Sequence, residues 1–349
     1  MLMILLKLFG NLVALIIGAW CVSEGGDILG DKYDATVIGG FVIAWLNTLP
    51  EAIFFITALN AENHRFAVGA ISGSVIVVNT IAVGLCVYIG AKARSSSRIT
   101  LQKGVRYQAL ILLASCVIVL LTIMFGFNLF VGILGCIFYV AFMGYTLYAD
   151  HSEKKSETLD LMDDKELIDV RHESEDESDD EEEQPTWKGM AFLIAGGLII
   201  YLFSLPFIDA VVEMGELLSI GSLALAFFFA PVASEAPEIL ESISLSRKGK
   251  LQNINIAFSN LVGGTVSKTT LLTGILCLYG AIYKFEYVSP SYTISLLLVC
   301  LCAGAVGAFG LTSRHEANRG IYLVLLFFFC SLIQFYIAFV SPNSIDSSI

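Results

Sequence analysis

Charge is scarce in this 349-residue chain. Asp, Glu, Lys and Arg make up 15% of it, against 56% hydrophobic residues. A soluble domain of this size needs more polar surface than that to cover itself. Histidine is rarer still: His64, His151, His172 and His315 are dispersed, and none falls at the centre of an apolar run. Nothing in the sequence points to covalent catalysis, so the chain reads as a non-enzyme with no cofactor and no nucleic-acid partner. The eight Cys lie mostly inside apolar runs. Only Cys300 and Cys302 have metal-ligand spacing, and they share one apolar helix. They read as small buried hydrophobes, and a disulfide framework is not expected.

Long apolar runs are abundant. They cover 1–29, 35–60, 67–91, 107–125, 128–149, 188–213, 219–245, 252–283, 289–311 and 319–341. A hydrocarbon layer about 30 Å thick needs roughly 20 apolar residues per helix. The pattern predicts an all-α, multi-pass membrane protein of about ten transmembrane helices, with the lipid bilayer and inorganic cations as its partners. Residues 1–21 also resemble a secretory signal, but the apolar stretch is too long for one and has a counterpart in the second half.

The formal charge of −12 is one local feature. Residues 150–183 hold 17 Asp/Glu and four Lys/Arg, a net −13, which leaves about +1 for the rest. Residues 150–187 are expected to form an acidic, solvated, disordered tether between two units, 1–149 and 188–349. Basic residues set orientation. Lys92, Arg94, Arg98, Lys103 and Arg106 follow the third span, Arg247, Lys248 and Lys250 the seventh, and Arg314 and Arg319 the ninth. With ten alternating helices all three linkers fall on one side, which predicts that this side and the acidic tether are cytoplasmic. The other side carries Arg65 and Lys284.

Five helices per half turn the second half upside down relative to the first, as in inverted-repeat transporters. The halves match in sequence. The first has Asn47-Thr48-Leu49-Pro50-Glu51, then Gly73-Ser74 and Gly84. The second has Ser234-Glu235-Ala236-Pro237-Glu238, then Gly263-Gly264 and Gly274. The repeated segments span 35–91 and 219–283. The repeated glycines are read chiefly as helix-packing positions.

A carboxylate near mid-membrane costs about 2.5–3.5 kcal/mol on insertion scales, so Glu51 and Glu238 need a partner or a task. Pro50 and Pro237 each remove an N–H and are expected to break the helix one turn earlier, freeing carbonyls beside them. Carboxylate and carbonyl oxygens suit a hard cation such as Ca²⁺. Asn47 and Glu51 are i,i+4 and share a helix face, as do Ser234 and Glu238. Glu235 lies three residues before Glu238. The third helix of the first half offers Ser74 and Asn79. Its counterpart offers Ser267, Lys268 and Thr269. Lys268 is too central to reach an interface easily and needs a carboxylate. Glu51, Glu235 and Glu238 with Lys268 sum to −2, the complement of one divalent ion. Alternatively the ammonium stands where a monovalent ion would sit, or passes on a proton. A purely architectural salt bridge of Glu235 with Lys268 is the plainer reading, as is interhelical hydrogen bonding by Ser74, Asn79 and Thr269.

These motifs resemble the alpha-repeats of the calcium/cation antiporter superfamily, which includes sodium/calcium and cation/proton exchangers. The stretch Glu24-Gly25-Gly26-Asp27-Ile28-Leu29, with Ile38-Gly39 and Thr48-Leu49-Pro50-Glu51, is similar to that family's first two helices. The resemblance implies a ten-helix fold, alternating access, Glu51 and Glu238 as its two essential carboxylates, and Asn47, Thr48, Ser74 and Ser234 as polar ligands. This chain departs from the family at Glu235, where a small hydroxyl is usual, and at Lys268, where Asn or Asp is usual. The departures favour proton coupling, or an ion set unlike that of the sodium exchangers, over several Na⁺ sites. The second repeat is also similar to plant exchanger-like proteins that carry EF-hands, but Asp160–Asp169 has no Gly and lacks the spacing of such a loop. The implied activity is exchange of Ca²⁺ or another divalent ion for H⁺ or Na⁺. Two other activities compete: a non-transporting divalent sensor or scaffold, and a monovalent cation/proton exchanger.

Overall fold

The apolar runs become helices because their backbone groups have no water to bond with and must satisfy one another within each segment. The computed structural model describes residues 1–32, 38–94, 98–163, 186–287 and 290–340. Among these, the helices are α1 (Leu2–Lys32), α2 (Ile38–Asn60), α3 (His64–Val77), α4 (Val83–Lys92), α5 (Lys103–Phe125), α6 (Leu129–Asp163) and α7 (Thr186–Leu218), then α8 (Ser222–Ser234), α9 (Ala236–Arg247), α10 (Leu251–Ser267), α11 (Thr273–Tyr283), α12 (Ser291–Leu311) and α13 (Ala317–Val340). Two π-helical turns, Val78–Ala82 and Lys268–Leu272, join α3 to α4 and α10 to α11 into single rods. Counting each rod and the bent α8–α9 pair once gives ten helical columns, as expected. Eight helices are long and apolar enough to cross a membrane, and α8–α9 adds a ninth. In α2 the stretch Thr48–Asn60 is a shorter apolar helix. α6 stays helical to Asp163, so the helix continues into the expected tether. The remainder of that tether, 164–185, lies outside the described residues.

Burial sorts the columns. The α3–α4 rod is 83% buried and the α10–α11 rod 72%, whereas the spans of α1, α6, α7 and α13 are 28–33% buried. Large apolar side chains such as Phe9, Val140, Tyr201 and Leu332 are exposed on those outer helices. A surface of that kind is stable only against lipid. The two rods therefore form the centre.

The packing is two-fold. α1 lies along α7, and α5 along α12, each against its own counterpart. α4 packs on α13 as α11 packs on α6, and α3 on α8 as α10 on α2. Close approach along the first pair depends on glycine: a Cβ on Gly196 would stand 2.6 Å from the Gly18 carbonyl oxygen. The two π-turns occupy equivalent places, since Gly73 and Gly263, Val78 and Lys268, and Gly84 and Gly274 are each 190 positions apart.

The inversion is visible at the two ends. A two-stranded antiparallel ribbon joins β1 (Arg98–Thr100), after the third column, to β2 (Arg314–Glu316), after the ninth. At the same end the Arg94 guanidinium donates to the Gly249 carbonyl at 3.2 Å, after the seventh. The three basic linkers thus share one face. At the opposite end His64 stacks on Phe285, and the Tyr279 hydroxyl donates to Asn60 Oδ1 at 3.2 Å. The third column therefore runs toward the ribbon face and the eighth away from it.

Candidate cation site

The second repeat breaks at one residue. α8 ends at Ser234, α9 starts at Ala236, and the two are bent by 55°. Glu235 is the joint, with φ −98° and ψ −9°. Its N–H still donates to the Pro231 carbonyl at 2.8 Å. Pro237, at the start of α9, has no N–H to offer the Ala233 carbonyl, so the ladder stops here. Glu238 falls in the first turn of α9, where the positive helix end favours a carboxylate. The first repeat differs from expectation: α2 runs through Pro50 as one helix. Proline is tolerated within a membrane helix where neighbouring groups re-satisfy the carbonyl it leaves free.

Two carboxylates and one ammonium meet at this joint, and a third carboxylate, Glu238, lies within electrostatic reach. Lys268 Nζ lies 2.6 Å from Glu235 Oε2 and 3.5 Å from Glu51 Oε2. Glu235 is 1% exposed, Lys268 2% and Glu51 7%, so no solvent screens the cluster. The Ser74 hydroxyl makes a short hydrogen bond to Glu235 Oε1 and also reaches Glu51. The Ser234 hydroxyl donates to the same Glu235 oxygen at 3.0 Å and to the Ala230 carbonyl at 3.2 Å. Glu238 is half-buried and within electrostatic reach of Lys268, Glu235 and Glu51. Its Oε2 faces Gly264, where a Cβ would stand 3.6 Å away. Thr48 is buried on the turn before Glu51. The Asn47 side chain lies outside the described residues.

Lys268 owes its position to the second π-turn, which starts at that residue. Such a turn leaves a carbonyl out of the regular ladder. The Thr273 hydroxyl takes up the Lys268 carbonyl at 3.1 Å.

The remaining polar candidates bond elsewhere. Asn79 Nδ2 donates to the Val75 carbonyl and, at 3.3 Å, to Thr265 Oγ1. Thr269 bonds Ser115 of α5 at 2.8 Å and the carbonyl of Thr265 at 2.9 Å. Ser267 donates to the Gly263 carbonyl at 3.2 Å. These three tie helices and turns together in this conformation. Glu241, Ser242 and Asn260 were not singled out from sequence. With Glu238, Leu245, Ala257 and Leu261 they line a small cleft between α9 and α10. Glu241 could have been found as the i+3 neighbour of Glu238. Because α9 runs from the joint to Arg247 at the ribbon face, the cleft leads from that face to Glu238.

Chemically, the cluster offers six carboxylate oxygens plus hydroxyls, a donor set fit for a hard cation taking 6–8 oxygens. Among the described residues no three acidic, His or Cys side chains are gathered closely enough to hold a metal as they stand. The reason is on hand: the Lys268 ammonium stands between Glu51 and Glu235.

The chain is similar to known proteins in sequence and in fold. The chain is similar to Sodium/calcium exchanger NCL1 of Oryza sativa subsp. japonica, 28% identical over 140 residues, which is 39% of this chain and 24% of that protein. The chain thus spans about a quarter of the length of the curated relatives it matches. The fold resembles that of the H⁺/Ca²⁺ exchanger CAX, with a TM-score of 0.72, 17% identity and coverage of 97% of this chain and 87% of that one. It also resembles the sodium-calcium exchanger NCX_Mj, with a TM-score of 0.60, 16% identity and coverage of 94% and 98%. The profile of the family described as "Sodium/calcium exchanger protein" matches residues 3–148 and 188–336, which takes in both repeats and nearly every helix, so the chain belongs to the sodium/calcium exchanger protein family.

Proposed function

We propose that the chain is a secondary antiporter that exchanges Ca²⁺ or another divalent cation for H⁺ or Na⁺ by alternating access. The carrying observation is the Glu51–Lys268–Glu235 bridge, which joins the two inverted repeats through buried charge. Glu51 and Glu238 bind the transported ion directly, helped by Glu235, Ser74, Ser234, Thr48 and Asn47. Three carboxylates and one ammonium leave −2, which one divalent ion neutralises.

Lys268 supplies the exchange logic. Paired with two carboxylates it is a positive charge on a tether, and it holds the place of a counter-ion. A divalent ion entering by the α9–α10 cleft meets Glu238 first. It gains Glu51 and Glu235 only as the ammonium withdraws. The names of the fold's neighbours cover both an H⁺/Ca²⁺ and a sodium-calcium exchanger. The replacement of an amide by Lys268 favours H⁺ here. The basic ribbon face is assigned to the cytoplasm by the positive-inside rule. By alternation the acidic tether between the two five-helix units leaves from that face too.

The test is flux. The purified full-length chain is placed in proteoliposomes, and labelled Ca²⁺ uptake is followed while H⁺ and Na⁺ gradients are imposed independently. Uptake driven by one gradient and absent without it is expected. No Ca²⁺ movement under any H⁺, Na⁺ or K⁺ gradient would overturn the proposal and leave a sensor or scaffold. Indifference of the flux to micromolar Ca²⁺ competition would leave a monovalent exchanger.

A further inference from the structure

A second cleft opens at the end of the molecule opposite the ribbon. Three helices begin there. Arg65 is in the first turn of α3, Ser222 opens α8, and Ser291 and Tyr292 open α12; Gln334 of α13 closes the side. None of the three helix starts has a side-chain cap: Asn63, Gly221 and Pro290 make no capping hydrogen bond. Uncapped starts leave their first backbone N–H groups pointing out of the helix, and the aligned peptide dipoles add partial positive charge. Three such ends converge here with an arginine, so backbone N–H and guanidinium donors border a cleft whose wall is otherwise largely apolar.

An independent observation shows that a partner is missing. Tyr292 is 1% exposed, and its hydroxyl finds no hydrogen-bond acceptor among the described residues. Arg65 lies beside it, but a guanidinium has donors only. A buried hydroxyl without an acceptor costs about 1–3 kcal/mol. The ring itself is held firmly by Phe127, Tyr287 and His64, so the hydroxyl cannot turn away. Glu286 acts on Tyr292 electrostatically, and the last turn of α13 brings Ile337 and Ala338 to the wall. That helix end contributes a dipole opposite in sign to those of the three starts.

We propose that this cleft binds an oxyanion of the phosphate class. Its oxygens accept from Arg65, from the Tyr292 hydroxyl and from the free N–H groups at the starts of α8 and α12. The anion is either free phosphate or the headgroup of an anionic lipid. The apolar wall of Leu223, Ile337 and Ala338, the latter two on a helix that also exposes Tyr336 and Leu332, suits an acyl chain leaving the headgroup. The site is separate from the carboxylate cluster and lies at the other end of the molecule from the ribbon.

The experiment uses the full chain in nanodiscs of phosphatidylcholine with or without phosphatidylglycerol, and in detergent with or without inorganic phosphate. Thermal unfolding and lipid retention by native mass spectrometry are measured for the wild type, Arg65→Gln and Tyr292→Phe. Tyr292→Phe keeps the ring packing and removes only the hydroxyl, so it tests the site without loss of fold. The wild type is expected to be stabilised by the anion, with affinity falling about tenfold in Arg65→Gln and severalfold in Tyr292→Phe. A response to phosphatidylglycerol alone assigns a lipid headgroup, and a response to phosphate alone assigns a solution anion. No response to either, or equal responses in all three proteins, overturns the proposal.

Discussion

Lys268 donates to Glu235 Oε2 at 2.6 Å, from a π-turn on one buried rod to the break in a neighbouring column. Both residues are buried, and each supplies the charge that the other needs. Breaking a buried pair from one side costs about 3–5 kcal/mol, because the remaining charge is stranded. A divalent cation can meet that need as well as an ammonium does.

Lys268→Met keeps the apolar stem and deletes the charge. The ion-free protein is expected to melt earlier, and added Ca²⁺ to restore it more strongly than in the wild type. Apparent Ca²⁺ affinity rises about tenfold, or about 1.4 kcal/mol, and the dependence of flux on H⁺ and Na⁺ changes. Calorimetry and proteoliposome flux read both effects. Unchanged counter-ion dependence would demote Lys268 to architecture.

Glu238→Gln removes one carboxylate charge with almost no change in shape. Glu238 lies at the end of the α9–α10 cleft and is only half-buried, so folding is expected to survive. Flux should fall at least a hundredfold on the order-of-magnitude scale of a lost charged ligand, about 3 kcal/mol. Intact flux would remove Glu238 from the ion path.

Ser74→Ala deletes the hydroxyl that spans Glu235 and Glu51. A hydrogen bond to a charged group contributes about 1.5–3 kcal/mol. The expected result is a loss of about tenfold or more in apparent divalent affinity, with Ser74→Thr recovering part of it. Binding titration of the purified variants checks this, and equal affinities would speak against Ser74 as a positioning hydroxyl.

Gly73→Leu tests the packing that brings Ser74 to the joint. A Cβ at Gly73 would stand 2.1 Å from the Phe227 carbonyl oxygen of α8. Backbone on both sides leaves nothing flexible to yield. Misfolding or loss of the monodisperse species on size exclusion is expected; a wild-type elution profile and melting point would show that α3 and α8 can separate.

His315 sits in the ribbon, outside the spans. It is 1% exposed, stacked on Phe309 with ring centroids 3.7 Å apart, and its Nε2 lies 2.9 Å from the Thr312 carbonyl oxygen. That contact requires a proton on Nε2, which leaves Nδ1 to accept from Arg319 at 3.4 Å. Burial is the main cause that pushes its pKa down to about 4, with Arg319 adding to it. A histidine unfolded at about 6.5 therefore binds its proton more readily than the folded one. Stability is full above about pH 6.5 and declines as pH falls toward 4. The melting temperature of the wild type should drop between pH 7 and 5 more than that of His315→Gln, and parallel curves would refute the assignment.

Much of this was legible in the sequence because the bilayer makes helix length and intramembrane charge expensive. The ten columns followed from apolar runs, and the repeat followed from Pro50-Glu51 against Pro237-Glu238. That Lys268 needs a carboxylate followed from the cost of stranding an ammonium. The break at Glu235 with none at Pro50 was not legible, since both motifs carry the same proline and only the surrounding packing separates them. Nor were the π-turns: an extra residue per turn shifts which side chains face the joint without altering composition. That is how Asn79 and Thr269 came to bond Thr265 and Ser115 while Lys268, at the start of its turn, reached the carboxylates. Glu241 was masked by its stronger neighbour Glu238.

The β1–β2 ribbon is short, but it fastens the end of the third column to the link between the ninth and tenth. The exposed Arg98–Glu316 pair at 3.0 Å and the Arg94–Gly249 bond stand beside it. One end of the molecule is thereby stitched across its two halves, and the stitched columns travel together. Whatever slides to admit an ion from the far end must belong to the unstitched remainder. The long, glycine-lined seam of α1 against α7 is not among the stitched columns.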